Sequence, residues 1–191
     1  DDNASGTVAA MEIAEAFMIA KNKGKGPRRS ILIMLVSGEE KGLLGSKYYT
    51  DNPIYPLKNT VANLNIDMIG RIGDFKSNPN YIYLIGSNRL STELHNISEK
   101  VNSKYIGLEL DYTFNKEDDP NRYYYRSDHY NFAKNNIPVI FYFNGIHEDY
   151  HKPTDTIEKI NFNKIKKITK LIFLTAWELA NRDTRIIVDK K

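Results

Sequence analysis

Four stretches of this chain carry side chains that could do chemistry together: Asp1-Asp2, Glu39-Glu40, Asp67, and His147-Glu-Asp-Tyr-His151. Two adjacent glutamates at the end of an apolar run most simply form a solvated turn, because glutamate is seldom fully buried. Glycines at 38 and 42 and the depth of the preceding Ile31–Val36 run weigh against that reading. Asp67 interrupts Leu64-Asn-Ile-Asp-Met-Ile69. A carboxylate in such a run is costly unless it is paired or metal-bound, the plainer options being a helix cap or a buried salt bridge. His147 and His151 match the pattern H-E-x-x-H, whose two imidazoles share a metal only when the segment is helical. Here Gly145 precedes the motif, Pro153 follows it, and the segment leaves a strand-like run, so the context fails. The preferred reading is that His151 points into the site from a loop. His95 reads as a surface residue, and His129, opening a helix, as a cap or packing residue.

An oxygen-rich set with one or two imidazoles suits a pair of divalent ions, zinc above all. Two such ions about 3.5–4 Å apart can share a hydroxide and polarise a carbonyl. A free carboxylate beside them then moves the proton. Of two adjacent glutamates, one can bind metal while the other serves as base, which divides the labour between Glu40 and Glu39.

These residues need elements to position them. Ile31–Val36, Val61–Ile69, Tyr81–Gly86 and Pro138–Phe143 are short apolar runs that predict strands, the first buried on both faces. Ala10, Ile13, Ala14 and Phe17 recur at helical spacing, with Ser5 a candidate N-cap. Leu90–Val101 and Ser127–Asn135 are weaker helix candidates, and Ile165 through Leu179 marks an amphipathic C-terminal helix. The alternation predicts an α/β fold: a mainly parallel, mixed sheet with helices on both faces. In such sheets functional groups gather beyond the carboxyl ends of strands. Glu39-Glu40, Asp67 and the 147–151 stretch all fall there. Asn115–Tyr125 reads as a binding loop.

The chain has 191 residues, which predicts one domain, residues 1–191. With 27 Lys+Arg, 24 Asp+Glu and a net charge of +3, it is not a strongly basic nucleic-acid binder. The tyrosines at 123–125 between Arg122 and Arg126 are better explained as a substrate-side wall or a packed loop than as a base-stacking platform. Cysteine is absent, which excludes disulfides and thiol chemistry. Neither Ile31–Val36 nor Pro138–Phe143 approaches the roughly 20 apolar residues that span a bilayer.

The segments D-D-N-A-S-G, S-G-E-E-K-G-L-L-G-S, N-I-D-M-I-G-R, Y-R-S-D-H-Y-N-F and H-E-D-Y-H-K-P-T-D-T, in order from residue 1 to about Thr156, resemble the co-catalytic zinc aminopeptidases. Bacterial leucyl aminopeptidase and aminopeptidase Y belong to that family. Glutamate carboxypeptidase, glutaminyl cyclase and the transferrin receptor ectodomain are distant relatives. The resemblance implies two zinc ions, with Asp2 as the bridging carboxylate, Glu40 and His151 on one zinc and Asp67 on the other. It implies Glu39 as general base, Tyr150 as a group that helps polarise the scissile carbonyl, and Arg126 near the substrate. Phe143, closing a strand beside these, is a candidate wall of an apolar specificity pocket. The implied reaction is aminopeptidase hydrolysis of peptides by a zinc-bridged hydroxide.

The family places its first zinc ligand, a histidine in an H-x-D pair, upstream of D-D-N. The expectation is therefore that this stretch is part of a larger catalytic domain, with early strands missing from the sheet and the Asp67 zinc weakly held. Whether the stretch is active alone stays open. Carboxypeptidase action, cyclisation of N-terminal glutamine, or a metal-free binding role of the transferrin-receptor type are the alternatives. The resemblance also implies export from the cell. Oligomeric state and side-chain preference stay open.

Overall fold

A computed structural model describes residues 1–190. Among the described residues, four strands form one sheet in the order β1-β4-β2-β3: β1 is Asn63–Ile66, β2 Tyr81–Ile85, β3 Glu109–Asp111 and β4 Val139–Phe143. β1 pairs with β4 and β2 with β3 in parallel, while β2 and β4 run antiparallel. Two of the three pairings are parallel, as the alternation predicts, and the antiparallel β2–β4 pairing makes the sheet mixed. The helices are α1 (Ala4–Asn22), α2 (Leu44–Asp51), α3 (Thr92–Tyr105), α4 (His129–Ala133) and α5 (Phe162–Asn181).

Period-2 alternation along the strands explains the layering. Ile82, Leu84, Ile140 and Tyr142 face one side, where they pack with Ile13 and Phe17 of α1, Leu94 and Val101 of α3, and Ile168, Leu171 and Ile172 of α5. Tyr81, Tyr83, Ile85, Phe141 and Phe143 face the other side and form an aromatic layer with Phe114 and Tyr123. Val139 joins Phe132 of α4 on that second face. Helices therefore cover both faces. α3 and α5 start at side-chain caps: Ser91 accepts from the Leu94 amide at 3.2 Å and Asn161 from the Lys164 amide at 3.0 Å. No described helix is long and apolar enough to cross a membrane.

The sequence expectations need several corrections. Ile31–Val36 is not a strand, and Leu32 and Leu35 are about half exposed (49% and 56%). The physical reason is the want of a ladder partner. An open cavity of ≈ 980 Å³ lies between this extended segment and β1, so neither can satisfy the other's backbone groups. The 61–69 strand is only four residues long, because the chain turns away at Asp67. Ser5 is inside α1 and does not cap it; Asn3 holds the cap position without a side-chain bond. α2 and β3 were not anticipated, both being short and built largely from polar residues.

Candidate active site

β1 and β4 run in parallel, so their carboxyl ends open on the same edge of the sheet. Asp67 follows the last residue of β1, and its amide still bonds the Tyr142 carbonyl of β4 at 3.3 Å. Met68 then takes a left-handed backbone, φ 54°, and its carbonyl accepts from the Asn144 amide at 2.8 Å. Glycine brings α1 to this edge. A Cβ on Gly6 would stand 2.2 Å from the Ile66 carbonyl oxygen, so any larger residue would push the N-terminus of α1, and Asp2 with it, away from Asp67. Glu39 and Glu40 sit in a 3₁₀ turn (Glu39–Lys41) bracketed by Gly38 at φ 70° and Gly42 at φ 101°. Both are left-handed positions that suit glycine. The loop after β4 supplies Tyr150 and His151.

These segments converge. His151 Nε2 is 2.7 Å from Glu40 Oε1 and 3.0 Å from Asp2 Oδ2. One ligand atom from each of Asp2, Glu40 and His151 falls within 4.8 Å of the other two. Glu40 and His151 are exposed and Asp2 is half-buried. His151 holds a left-handed backbone at φ 57°, and its ring stacks on Tyr150 with centroids 3.8 Å apart. A non-glycine residue in that conformation costs about 1–3 kcal/mol and persists only where its surroundings enforce it.

Asp67 lies on the inner side of the cluster. It accepts from Ser127 Oγ at 2.8 Å, and that hydroxyl accepts from Asn65 Nδ2 at 2.9 Å. Desolvation pushes the Asp67 carboxyl up to about 6; the Ser127 hydrogen bond opposes this, while Asp2, Asp128 and Glu40 add to it. Glu39 is pushed further, to about 8, by burial first and then by Asp67, Glu40, Asp128 and Asp2. Burial and Glu40 also raise Asp2, against the opposing pull of His151. The cluster is therefore short of positive charge.

A small cavity of ≈ 30 Å³ opens onto it, walled by Asp2, Glu39, Glu40 and Asp67 on the acidic side and by Met68, Tyr123, Phe141, Phe143, Ile146, Tyr150 and Arg126 on the other. That is room enough for an ordered water molecule. Asp2, Glu39, Glu40, Asp67, Arg126, Phe143 and Tyr150 line this cavity, and His151 pairs with two of them, whereas Asp1 and His147 lie outside it. Tyr150 is pushed up to about 12 by burial and by Glu40 and Asp2, so its hydroxyl keeps a proton to donate. Arg126 lies over the Tyr123 ring, 5.1 Å from its centroid.

The other histidines stand apart. His147 is buried, 3.3 Å from Asp1 Oδ2 and outside the cluster. His129 packs in the core, stacked 4.7 Å from Phe141, where burial pushes it down to about 3. His95 is half-buried rather than a surface residue, bonded to Ser87 at 3.0 Å and packed 5.0 Å from Tyr112. Sequence reasoning missed Ser127 and Arg71, although both lie inside motifs that it quoted. A serine beside an aspartate and an arginine four residues after Asp67 gave no periodic or spacing signal.

The profile of peptidase family M28 matches residues 1–176. The chain belongs to peptidase family M28. A probable leucine aminopeptidase of Arthroderma benhamiae is 30% identical over 186 residues, covering 94% of this chain and 48% of the relative. Aminopeptidase YwaD of Bacillus subtilis is 25% identical over 200 residues, covering 100% of this chain and 40% of the relative. The chain thus spans about half the length of these M28 relatives or less. An aminopeptidase from Aneurinibacillus sp. strain AM-1 superposes with a TM-score of 0.74 at 20% identity, over 100% of this chain and 42% of its own. The mixed α/β architecture is that of the M28 fold.

Proposed function

We propose that this chain carries the catalytic centre of a metal-dependent aminopeptidase, which releases N-terminal residues from peptides. The observation that supports this most strongly is the convergence of Asp2, Glu40 and His151 ligand atoms within 4.8 Å of one another, beside a glutamate pushed up to about 8. Carboxylates crowd together in this way at low cost only with a cation among them. Two oxygens and one imidazole nitrogen form a donor set that suits zinc.

Asp2, Glu40 and His151 would hold one zinc ion, and Asp2 with Asp67 a second. In this stretch alone the second would be the weaker, because the charged groups around Asp67 are carboxylates. Zinc, when bound, lowers the pKa of water and polarises a carbonyl. Glu39 is the proton carrier: it lines the cavity between the two ends of the cluster and takes no part in the His151 contacts. It takes a proton from water and hands it to the leaving amine. The Tyr150 hydroxyl donates toward the carbonyl oxygen as negative charge develops there. Phe143, Phe141 and Ile146 form the apolar wall against a substrate side chain, and Arg126 borders its far side.

Full-length protein assayed side by side on aminoacyl, acyl-glutamate and N-terminal glutamine substrates tests this reading. Release of the N-terminal residue is expected. Turnover of only the acyl-glutamate or the glutamine substrate replaces the reaction and keeps the site.

A further inference from the structure

We propose that Arg71 is a positioning residue that locks the segments carrying Asp2, Asp67 and His151 into one register. The inference rests on the reading of Asp2, Glu40 and His151 as metal ligands. Arg71 lies four residues beyond Asp67 and is 9% exposed. Its amide donates to Asn144 Oδ1 at 2.8 Å, tying the β1 exit to the end of β4. Its guanidinium forks: Nη2 donates to Asp149 at 2.8 Å and Nη1 to Asp155 at 2.9 Å.

Those two aspartates bracket Tyr150 and His151. Asp149 also accepts from Lys159 Nζ at 2.7 Å, and Lys159, Thr154 and Arg71 hold it well below the usual carboxylate range. Asp155 reaches the other way, accepting from the Asp2 amide at 3.4 Å. One side chain thus connects three of the four segments that bear the candidate ligands, while Glu39-Glu40 is held separately by its glycine-bracketed turn.

A planar fork suits this task and an ammonium does not. Arginine presents parallel donors to two carboxylates at fixed separation, whereas lysine offers a single point charge. The strained backbone of His151 needs an enforcing partner, and the Arg71–Asp149 pair lies two residues before it. Two cations, Arg71 and Lys159, offset the two aspartates, so the clasp adds no negative charge beneath an acid-rich centre.

The test is calorimetric zinc titration of the chain, with Arg71→Lys, Arg71→Met, Asp155→Asn and His151→Ala compared with the parent and folding checked by circular dichroism. Loss of an outer partner that orients metal ligands costs about 10- to 100-fold in metal affinity. Folded Arg71→Lys is expected to bind zinc at least about tenfold more weakly, with Asp155→Asn showing part of that loss. Parent-like affinity in folded Arg71→Lys and Asp155→Asn overturns the proposal, whatever Arg71→Met does to folding. If the parent binds no zinc, the metal reading itself fails. Nuclear Overhauser contacts between the Tyr150 and His151 rings in the metal-free chain then decide: their loss in Arg71→Lys supports the clasp, and their retention overturns it.

Discussion

The two ends of the carboxylate cluster meet at Asp2 but are built differently. The outer end is exposed, and an imidazole already sits 2.7 Å from Glu40 and 3.0 Å from Asp2. The inner end is tucked behind β1, its Asp67 fixed by Ser127, with further carboxylates as its charged neighbours. At the outer end a single imidazole is shared between two carboxylates. Burial and like charge leave the inner end strained until a cation or protons arrive. The proposed metal centre would thus be half preassembled and half dependent on its ligand.

Breaking the outer and inner ends should have unlike consequences. The largest effect is expected at Glu39, which belongs to neither set of ligands. Glu39→Gln in the full-length protein should lower turnover by about 10²- to 10⁴-fold with zinc content unchanged, as removal of a general base does. Atomic absorption beside a kinetic assay checks both halves of that statement, and retained turnover removes Glu39 from the role. His151→Ala should abolish tight zinc binding at the outer end and leave the metal-free fold almost unaltered, since the ring is exposed. Equilibrium dialysis with a zinc chelator measures the first, thermal unfolding the second.

Asp67→Asn should do the reverse. The amide oxygen can still accept from Ser127, and the buried charge is gone. The metal-free variant is expected to gain on the order of 1 kcal/mol above pH 6, because each pKa unit is worth about 1.4 kcal/mol. Urea unfolding at pH 8, 5 and 3.5 reads this: the gain should be full at pH 8, reduced at pH 5 and gone only below the ordinary aspartate value near 3.8.

The smallest effect is the pH slope of the parent chain. Glu39 and Asp67 both have folded-state values above their ordinary ones, about 8 and about 6. Between roughly pH 4.5 and 8 the folded state therefore binds more protons than the unfolded state, and stability falls as pH rises. Differential scanning calorimetry of the metal-free chain should show Tm dropping by about 2–4 °C or more across that window, the shift that ~1 kcal/mol produces at this size. Saturating zinc should flatten the slope.

The same contrast separates what was legible in the sequence from what was not. Glu39, Glu40 and Asp67 were readable because a carboxylate ending an apolar run violates burial chemistry, and the violation is visible in one dimension. β2 and β4, apolar on every residue, were readable for the same reason. Ile31–Val36 has the same apolar signature, yet a strand exists only where a second backbone answers it, and pairing is not written in a single segment. Ser127, Arg71, Asp149 and Asp155 were invisible as a group because ordinary polar residues gain meaning only from partners 60 to 84 positions away. Gly145 and Pro153 break the helix that the H-E-x-x-H spacing requires, which left a loop imidazole as the preferred reading; the ligand role of His151 came from the resemblance to the zinc aminopeptidases.

The most direct test of the central claim is a crystal structure of the chain grown with zinc, with anomalous scattering recorded at the zinc edge. An anomalous peak is expected among Asp2, Glu40 and His151, with ligand distances near ~2.0–2.2 Å, and weaker or absent density beside Asp67. Zinc bound elsewhere, or those three side chains turned away from one another with no peak between them, would contradict the account.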